Sequence, residues 1–394
     1  MAFAPAVLFT VTCTLEASID TMVSDLAAAF AAHGAHARVA LYTTSAPNRE
    51  LISGLLADLR SYDGPRFLVD VNGKSRFFSG GEGAAAPVSL LDEWAIPRYS
   101  LFESNPLAHL EHLAAAPKMT AWSVVDHSHR DTLLGLGMAP ERVAFVPHAG
   151  PLPSAEVDPT ADRPIDVLFV GNIGAHPPLD AWLAELGLAG GMARAATEAL
   201  EQVLANEADS FPAILEAIGR QGLAPELRRE ARIALAIEAR INSMRRLEAL
   251  TSIRSTPVLA CGTIASSIRL PDNVTVRGPV TFATSLALMA QAKLVTNFMP
   301  FRTGGHERVF YGLSRGACCL SDPSSLLADG MGAEGGVIER AAPRLLDEQV
   351  ATLVGDGRAL DRRRAAGRAW YAAAHTWSHR VPIILAMMRD CFFG

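Results

Sequence analysis

Residues 293–322 read KLVTNFMPFRTGGHERVFYGLSRGACCLSD and fall into four pieces. KLVTN is a short apolar strand, FMPFRTGG a loop, HERVFYGLSRG a helix and ACCLSD a further strand. Gly304 and Gly305 therefore stand directly before a helix N-terminus. Free backbone N–H groups and the helix dipole favour an anion there, and a diphosphate suits the geometry. His306 and Arg308 can add charge-assisted donors, and Glu307 in the first turn is a candidate acceptor for ribose hydroxyls. Gly316 permits the tight return from helix to strand. Taken alone, two glycines only make a turn and Arg308 reads equally as half of a surface ion pair.

The same alternation of apolar strand and amphipathic helix runs along the rest of the chain, the pattern of βαβ units and a parallel sheet. Strands are expected at 6–11, 37–42, 66–71, 98–102, 120–125 and 143–147, with a helix at 19–32 ending at Gly34. Residues 149–164, AGPLPSAEVDPTADRP, hold four prolines and have the composition of a linker. Immediately afterwards 165–170 is an apolar strand entering Gly171-Asn172-Ile173-Gly174, so a second fold of the same kind starts there. Residues 179–250 are rich in Ala, Leu, Glu and Arg and read as a helical insertion broken near Phe211-Pro212 and Gly222. Strands resume at 256–260, 274–277, 292–297 and 317–320, and 361–393 is helical with a break near Pro382. The expected division is a first domain at 1–150, a linker at 151–164, a second domain at 165–375, and a last helix at 376–394 packing back on the first.

Bulk properties agree with two α/β domains. A chain of 394 residues exceeds what one core usually serves, and 49% hydrophobic with 19% charged residues supports folding throughout. The net charge of -6, with basic residues scattered except at Arg362, Arg363 and Arg364, argues against a nucleic-acid partner. Five cysteines without CxxC spacing, two of them adjacent at Cys318 and Cys319, read as free thiols in a reducing compartment. The N-terminus lacks the basic start of a signal peptide, and no apolar run approaches the roughly 20 residues of a membrane span. A cytoplasmic protein without a transmembrane segment is expected.

The order N-x-x-P-x-x-x-G-x-H-E-R-V-F-x-x-L-x-x-G-A-x-x-L-x-D, from Asn297 to Asp322, resembles the donor motif of CgeB-like bacterial glycosyltransferases. VPHAG at 146–150, DVLFVGNIG at 166–174, VRGPVTF at 276–282 and HTWSHR at 375–380 extend the resemblance across both halves, while 179–250 is not covered. The resemblance implies a GT-B fold: two Rossmann-like lobes with parallel sheets facing a cleft, the nucleotide-sugar donor held mainly by the second lobe and the acceptor mainly by the first. It implies metal-independent transfer with no cofactor beyond the nucleotide sugar as substrate. By analogy the acceptor is polymeric, a protein such as flagellin or a surface polysaccharide. Many retaining enzymes of this fold carry Glu-x7-Glu, and those positions are Thr303 and Tyr311 here. That removes the usual carboxylate on the ribose, bears against the same role for Glu307, and leaves the stereochemistry open.

Within this framework Gly171, Asn172 and Gly174 are expected near the donor phosphate or sugar, and Arg277, Gly278, Val280 and Phe282 near its base, although Val and Phe beside a strand are usually core. Asn297 opens the donor motif. Asp126 and His127, after the 120–125 strand, are the preferred general base; the alternative makes Asp126 a helix cap and leaves His127 and His129 solvated. His127 and His129 lack evident third and fourth zinc ligands, so no metal is expected. Glu16 is a second candidate base, and Asp70, Asn72 and Lys74 are candidate acceptor contacts, with an Asn-Gly turn as the plainer reading. A nucleotide-sugar epimerase and a non-catalytic sugar-nucleotide-binding module fit the same architecture. A dehydrogenase fits poorly, because Thr12-Cys13-Thr14-Leu15-Glu16 after the first strand is not GxGxxG.

Overall fold

The computed structural model describes residues 3–12, 18–42, 49–75, 77–79, 88–152, 161–205, 209–299, 301–332 and 334–394. By contacts the chain divides into two compact units, residues 1–154 with 281–283 and 370–394, and residues 155–280 with 284–369. Residues 153–160, more than half of the expected linker, lie outside the described residues.

The first unit holds β1 (Ala6–Thr12), β2 (His36–Tyr42), β3 (Arg66–Val71), a small antiparallel pair β4 (Phe78–Ser79) and β5 (Val88–Ser89), then β6 (Arg98–Phe102), β7 (Thr120–Val124) and β8 (Val143–Phe145). Its main sheet is parallel in the order β2-β1-β3-β6-β7-β8, in register Phe9 to Val39 on one side of β1 and Phe9 to Val69 on the other. β6 and β7 are buried along their whole length, including the polar residues Arg98, Ser100, Thr120 and Ser123. On one face Leu8 and Leu68 pack with Ile52, Leu56 and Leu59 of the helix Arg49–Ser61.

The end of the chain belongs to this unit, and the VPHAG and HTWSHR segments meet there. Gly150 donates its N–H to the His375 carbonyl (3.2 Å) and accepts from Trp377 N–H (2.9 Å). Arg380 donates to the carbonyls of Pro147, Ala374 and His148 at 3.1, 2.9 and 3.3 Å. A Cβ at Gly150 would stand 2.7 Å from the Tyr371 hydroxyl, so the approach requires glycine. The return to the first unit begins at Trp370 rather than 376, because the Trp370 ring packs on His375 at 3.8 Å and Tyr371 Oη donates to the Pro151 carbonyl.

The expected break at Pro382 is also displaced. The helices are Gly357–Ala374 and Trp377–Phe392, so the break falls at His375-Thr376 and Pro382 lies inside the second helix. Proline removes the N–H that would bond the carbonyl four residues back. His33 Nε2 takes that place, 3.0 Å from the Ser378 carbonyl.

The second unit holds β9 (Ile165–Val170), β10 (Val258–Cys261), β11 (Val274–Gly278), β12 (Ala292–Asn297), β13 (Cys318–Ser321) and β14 (Val337–Glu339), parallel in the order β11-β10-β9-β12-β13-β14. β14 was not among the expected strands; three residues give too short a pattern to read. The 179–250 region forms helices Leu179–Glu185, Gly190–Leu204, Ser210–Arg220 and Leu227–Ser252. Pro212 sits in the first turn of the third, where its missing N–H costs nothing, instead of marking a break. The fourth is no appendage. Ala249 and Leu250 at its end are fully buried in the core with Val167, Phe169, Leu294 and Leu320 of the sheet. Cys318 and Cys319 lie in the same interior, where burial pushes both thiols up to about 12. Among the described residues no helix is long and apolar enough to cross a membrane.

Candidate functional site

β9 and β12 are hydrogen-bonded neighbours, yet the chain continues from β9 towards β10 and β11 on one side and from β12 towards β13 and β14 on the other. The divergence leaves a crevice beyond their carboxyl ends, where open α/β sheets bind ligands. Arg246, from the helix Leu227–Ser252, reaches into it. Its Nη1 donates to the Asn172 carbonyl (2.9 Å), its Nε to the Phe298 carbonyl (3.4 Å), and its Nη2 lies 2.7 Å from Met299 Sδ. It thus ties the first residues after β9 to the first residues after β12.

The loop after β9 is tied to the loop after β10. Gly171 N–H donates to the Cys261 carbonyl (2.9 Å), and Thr263 N–H donates to Asn172 Oδ1 (2.8 Å). Gly262, at φ 139°, has no room for a side chain: a Cβ would fall 2.0 Å from the Gly171 oxygen. Gly174 N–H donates to Ser243 Oγ (2.7 Å), and His176 Nε2 is 2.8 Å from the same hydroxyl. Burial and the nearby Arg240 lower the His176 basicity.

On the other side of the crevice His306 caps the helix Glu307–Ser314, its Nδ1 accepting from Arg308 N–H at 3.3 Å. The same nitrogen is 3.1 Å from Glu307 Oε2, an approach that requires a proton on it, so the cap and the contact with Glu307 are alternatives set by whether Nδ1 carries a proton. Arg308 Nη1 reaches Asn297 Oδ1 at 3.5 Å, and Asn297 Nδ2 donates to Ser321 Oγ at 2.9 Å. Gly304 and Gly305 are buried, with Ser324 Oγ donating to the Gly304 carbonyl. Tyr311 is fully buried and belongs to the core.

The electrostatics point to an anion. Burial, joined by the positive charge of Arg308, lowers the basicity of Arg246 to about 10. Burial also depresses Arg308, partly opposed by Glu307. Of five guanidinium donors each, Arg246 commits three and Arg308 one to partners among the described residues. Two like charges are therefore held together beside a helix N-terminus, an arrangement that a bound phosphate stabilises. Further along the edge Arg340 donates to Asp322 Oδ1 (2.7 Å) and lies over the Phe298 ring (5.6 Å). Burial raises Asp322 despite that partner.

Of the residues expected at the donor, Gly171, Asn172, Gly174, Asn297, Gly304, Gly305, His306, Glu307 and Arg308 are gathered at the two strand ends flanking this crevice. Arg277 and Gly278 are not: they end β11, two strands away from β9, and Arg277 is exposed. Phe282 opens the helix Phe282–Met289 and clusters with the first unit. Arg246 was not singled out from the sequence. An arginine on an Arg-rich helix carries no local signal, and its role depends on how that helix docks.

In the first unit Asp126 is 1% exposed and caps the helix His127–Gly135, accepting from Ser128 N–H (2.9 Å) and Ser128 Oγ (2.7 Å). His127 is exposed and its ring stacks on Phe145 at 4.0 Å, while His129 is buried. Asp70 is wholly buried, 3.4 Å from Arg98 Nη1 and accepting from Ser75 N–H at 3.0 Å, which removes it from direct acceptor contact. Asn72, at φ 58°, makes a reciprocal pair with Glu103: its Nδ2 donates to Glu103 Oε1 and its Oδ1 accepts from Glu103 N–H, both at 3.2 Å. Lys74 is half-buried, and its charge joins burial in pushing His109 down to about 4. Glu16 lies outside the described residues.

Two parallel six-stranded sheets, each opening at a switch point, decide the architecture. The fold is GT-B. AviGT4, a glycosyltransferase involved in avilamycin A biosynthesis, is similar with a TM-score of 0.53 at 13% identity over 99% of both chains. T4 phage BGT, solved with its UDP-glucose substrate, is similar with a TM-score of 0.51 at 9% identity over 98% of this chain and 99% of its own. HepE of Anabaena, solved with UDP, gives 0.50 at 11% identity over 98% and 100%. No protein-family model matches the sequence, and no curated protein matches it significantly.

Proposed function

We propose that the protein is a glycosyltransferase that takes a sugar from a nucleotide-sugar donor, and that the observation carrying this reading is the Arg246–Arg308 pair at the β9/β12 crevice. In the transfer an acceptor hydroxyl attacks the anomeric carbon, the bond from that carbon to the diphosphate oxygen breaks, and a base takes the hydroxyl proton. The leaving diphosphate gains negative charge, and Arg246, Arg308 and the N–H groups at the start of the Glu307–Ser314 helix neutralise it without a metal ion. His127 is the proposed base, being exposed where Asp126 is committed to its cap. A CgeB-like placement and a polymeric acceptor are parts of the same proposal, supported by the motifs at 146–150, 276–282, 297–322 and 375–380; a cytoplasmic setting is a further part, supported by free thiols at Cys261, Cys318, Cys319 and Cys391. UDP-glucose is the first donor to try, since UDP or UDP-glucose occupies two of the similar structures.

A thermal-shift series with UDP-, GDP-, dTDP- and CMP-sugars tests the reading. One donor should raise the midpoint in proportion to its binding and yield free nucleotide only when acceptor is added. Absence of any shift across the series contradicts it, and turnover of donor without acceptor would make the protein an epimerase or hydrolase instead.

A further inference from the structure

Two cavities open near the carboxyl ends of the second unit's strands, and Arg246 lines the first. The first, about 550 Å³, lies between the loop after β9 and the helix Leu227–Ser252; Trp182, Ala236, Ala239, Arg240 and Asn242 line it and Arg246 borders it. The second, about 630 Å³, lies beyond β13 and β14, lined by Arg302, Ser324, Ser325, Met331 and Glu339. Because β9 and β13 lie on opposite sides of β12, the cavities open to either side of the crevice. Both fall within the roughly 300–1,000 Å³ typical of small-molecule sites.

A nucleotide sugar has the same layout, with a diphosphate between two unlike ends. We propose that the first cavity holds the nucleoside of the donor. This rests on the diphosphate reading of Arg246 and Arg308 and adds which side of them the base occupies. None of the first cavity's described lining residues carries a carboxylate. The Arg240 guanidinium lies over the Trp182 ring at 4.9 Å, so a planar cation is already layered on an indole, and a nucleobase extends such a stack. Ala236 and Ala239 keep the adjoining wall flat. Asn242 Oδ1 is buried without a hydrogen-bond partner in that wall, and an amide there can pair with the edge of a base. The second cavity offers Glu339 and the Ser325 hydroxyl, which suit the hydroxyl-rich end of the donor.

The experiment compares UDP with inorganic pyrophosphate, both titrated calorimetrically into the full chain and its A239W and N242A variants. Ala239 is exposed, so tryptophan there fills the cavity without entering the core. UDP affinity should fall at least about tenfold in A239W and by a smaller factor in N242A, with pyrophosphate affinity within about twofold of wild type in both. Unchanged UDP affinity in A239W overturns the proposal. If transfer to acceptor slows while UDP affinity holds, the cavity belongs to the acceptor. Equal weakening of UDP and pyrophosphate also overturns it, because the cavity then only shapes the clamp. A wild-type protein that binds neither probe contradicts the diphosphate reading itself, and this proposal falls with it.

Discussion

Each unit has a sheet whose order reverses beside its first strand, between β1 and β3 in one and between β9 and β12 in the other, yet the two crevices are filled differently. In the first unit Arg98 is 1% exposed and Asp70 0%. Arg98 Nη1 spans Asp70, the Gly73 carbonyl and the Ser75 carbonyl at 3.4, 3.5 and 3.3 Å, and its guanidinium lies over Trp122 at 5.1 Å. Thr10 Oγ1 donates to Ser75 Oγ (2.7 Å), which donates back to the Thr10 carbonyl (3.0 Å), tying β1 to the loop after β3. There the cation meets a carboxylate inside the protein. In the second unit Arg246 meets Arg308, with Glu307 the carboxylate acting on Arg308. Topology supplies a crevice in both cases, and on the proposed reading the charge balance decides which one recruits an anion.

The largest effect expected from this contrast is on stability. Arg98→Met leaves the Asp70 carboxylate buried without its cation and should cost about 3–5 kcal/mol in denaturant unfolding while leaving UDP affinity unchanged. A cost below about 1 kcal/mol would mean that the first crevice is not sealed by this pair.

Arg308→Ala should do the reverse. It removes a charge-assisted contact worth about 1.5–3 kcal/mol of nucleotide binding, read as a roughly 10- to 150-fold weaker Kd for UDP. The unfolding midpoint should hardly move, since the loss of one guanidinium relieves repulsion on Arg246. A large stability loss with intact binding would erase the contrast between the units.

A smaller effect is the pH dependence of the first unit. Burial, Arg380 and His379 push His375 down to about 4, below the 6.5 of an unfolded chain. The unfolded state therefore binds the proton more tightly, and the stability this histidine contributes is complete above pH 6.5 and lost as pH falls from 6.5 towards 4. Thermal unfolding of wild type and His375→Gln across that range should converge at the acid end. Parallel curves would show that His375 is not held neutral.

Much of the fold was legible because buried parallel strands leave short, largely apolar segments, as at 66–71, 98–102 and 165–170, which the structure reproduces to the residue. The 293–322 segment was legible for the same reason, with two glycines marking its turn. Contacts made by docking were not. Arg246 reaches Asn172 and Phe298 only after its helix packs on the sheet, and an amphipathic helix gives the same periodicity whether it is appended or part of the core. Asp70 sits in a polar strand end like a ligand contact, and nothing near it in the chain discloses that Arg98 closes over it. Pro382 marks a helix break in most settings, and here a histidine from a distant helix end supplies the missing donor.

The most direct test is a calorimetric titration of UDP into wild-type protein and Arg246→Met, which keeps the aliphatic stem and removes the guanidinium. The account predicts saturable binding by wild type, weakened roughly 10- to 100-fold in the variant. Equal affinity in the two proteins would contradict the claim that the β9/β12 crevice is an anion site built on this arginine.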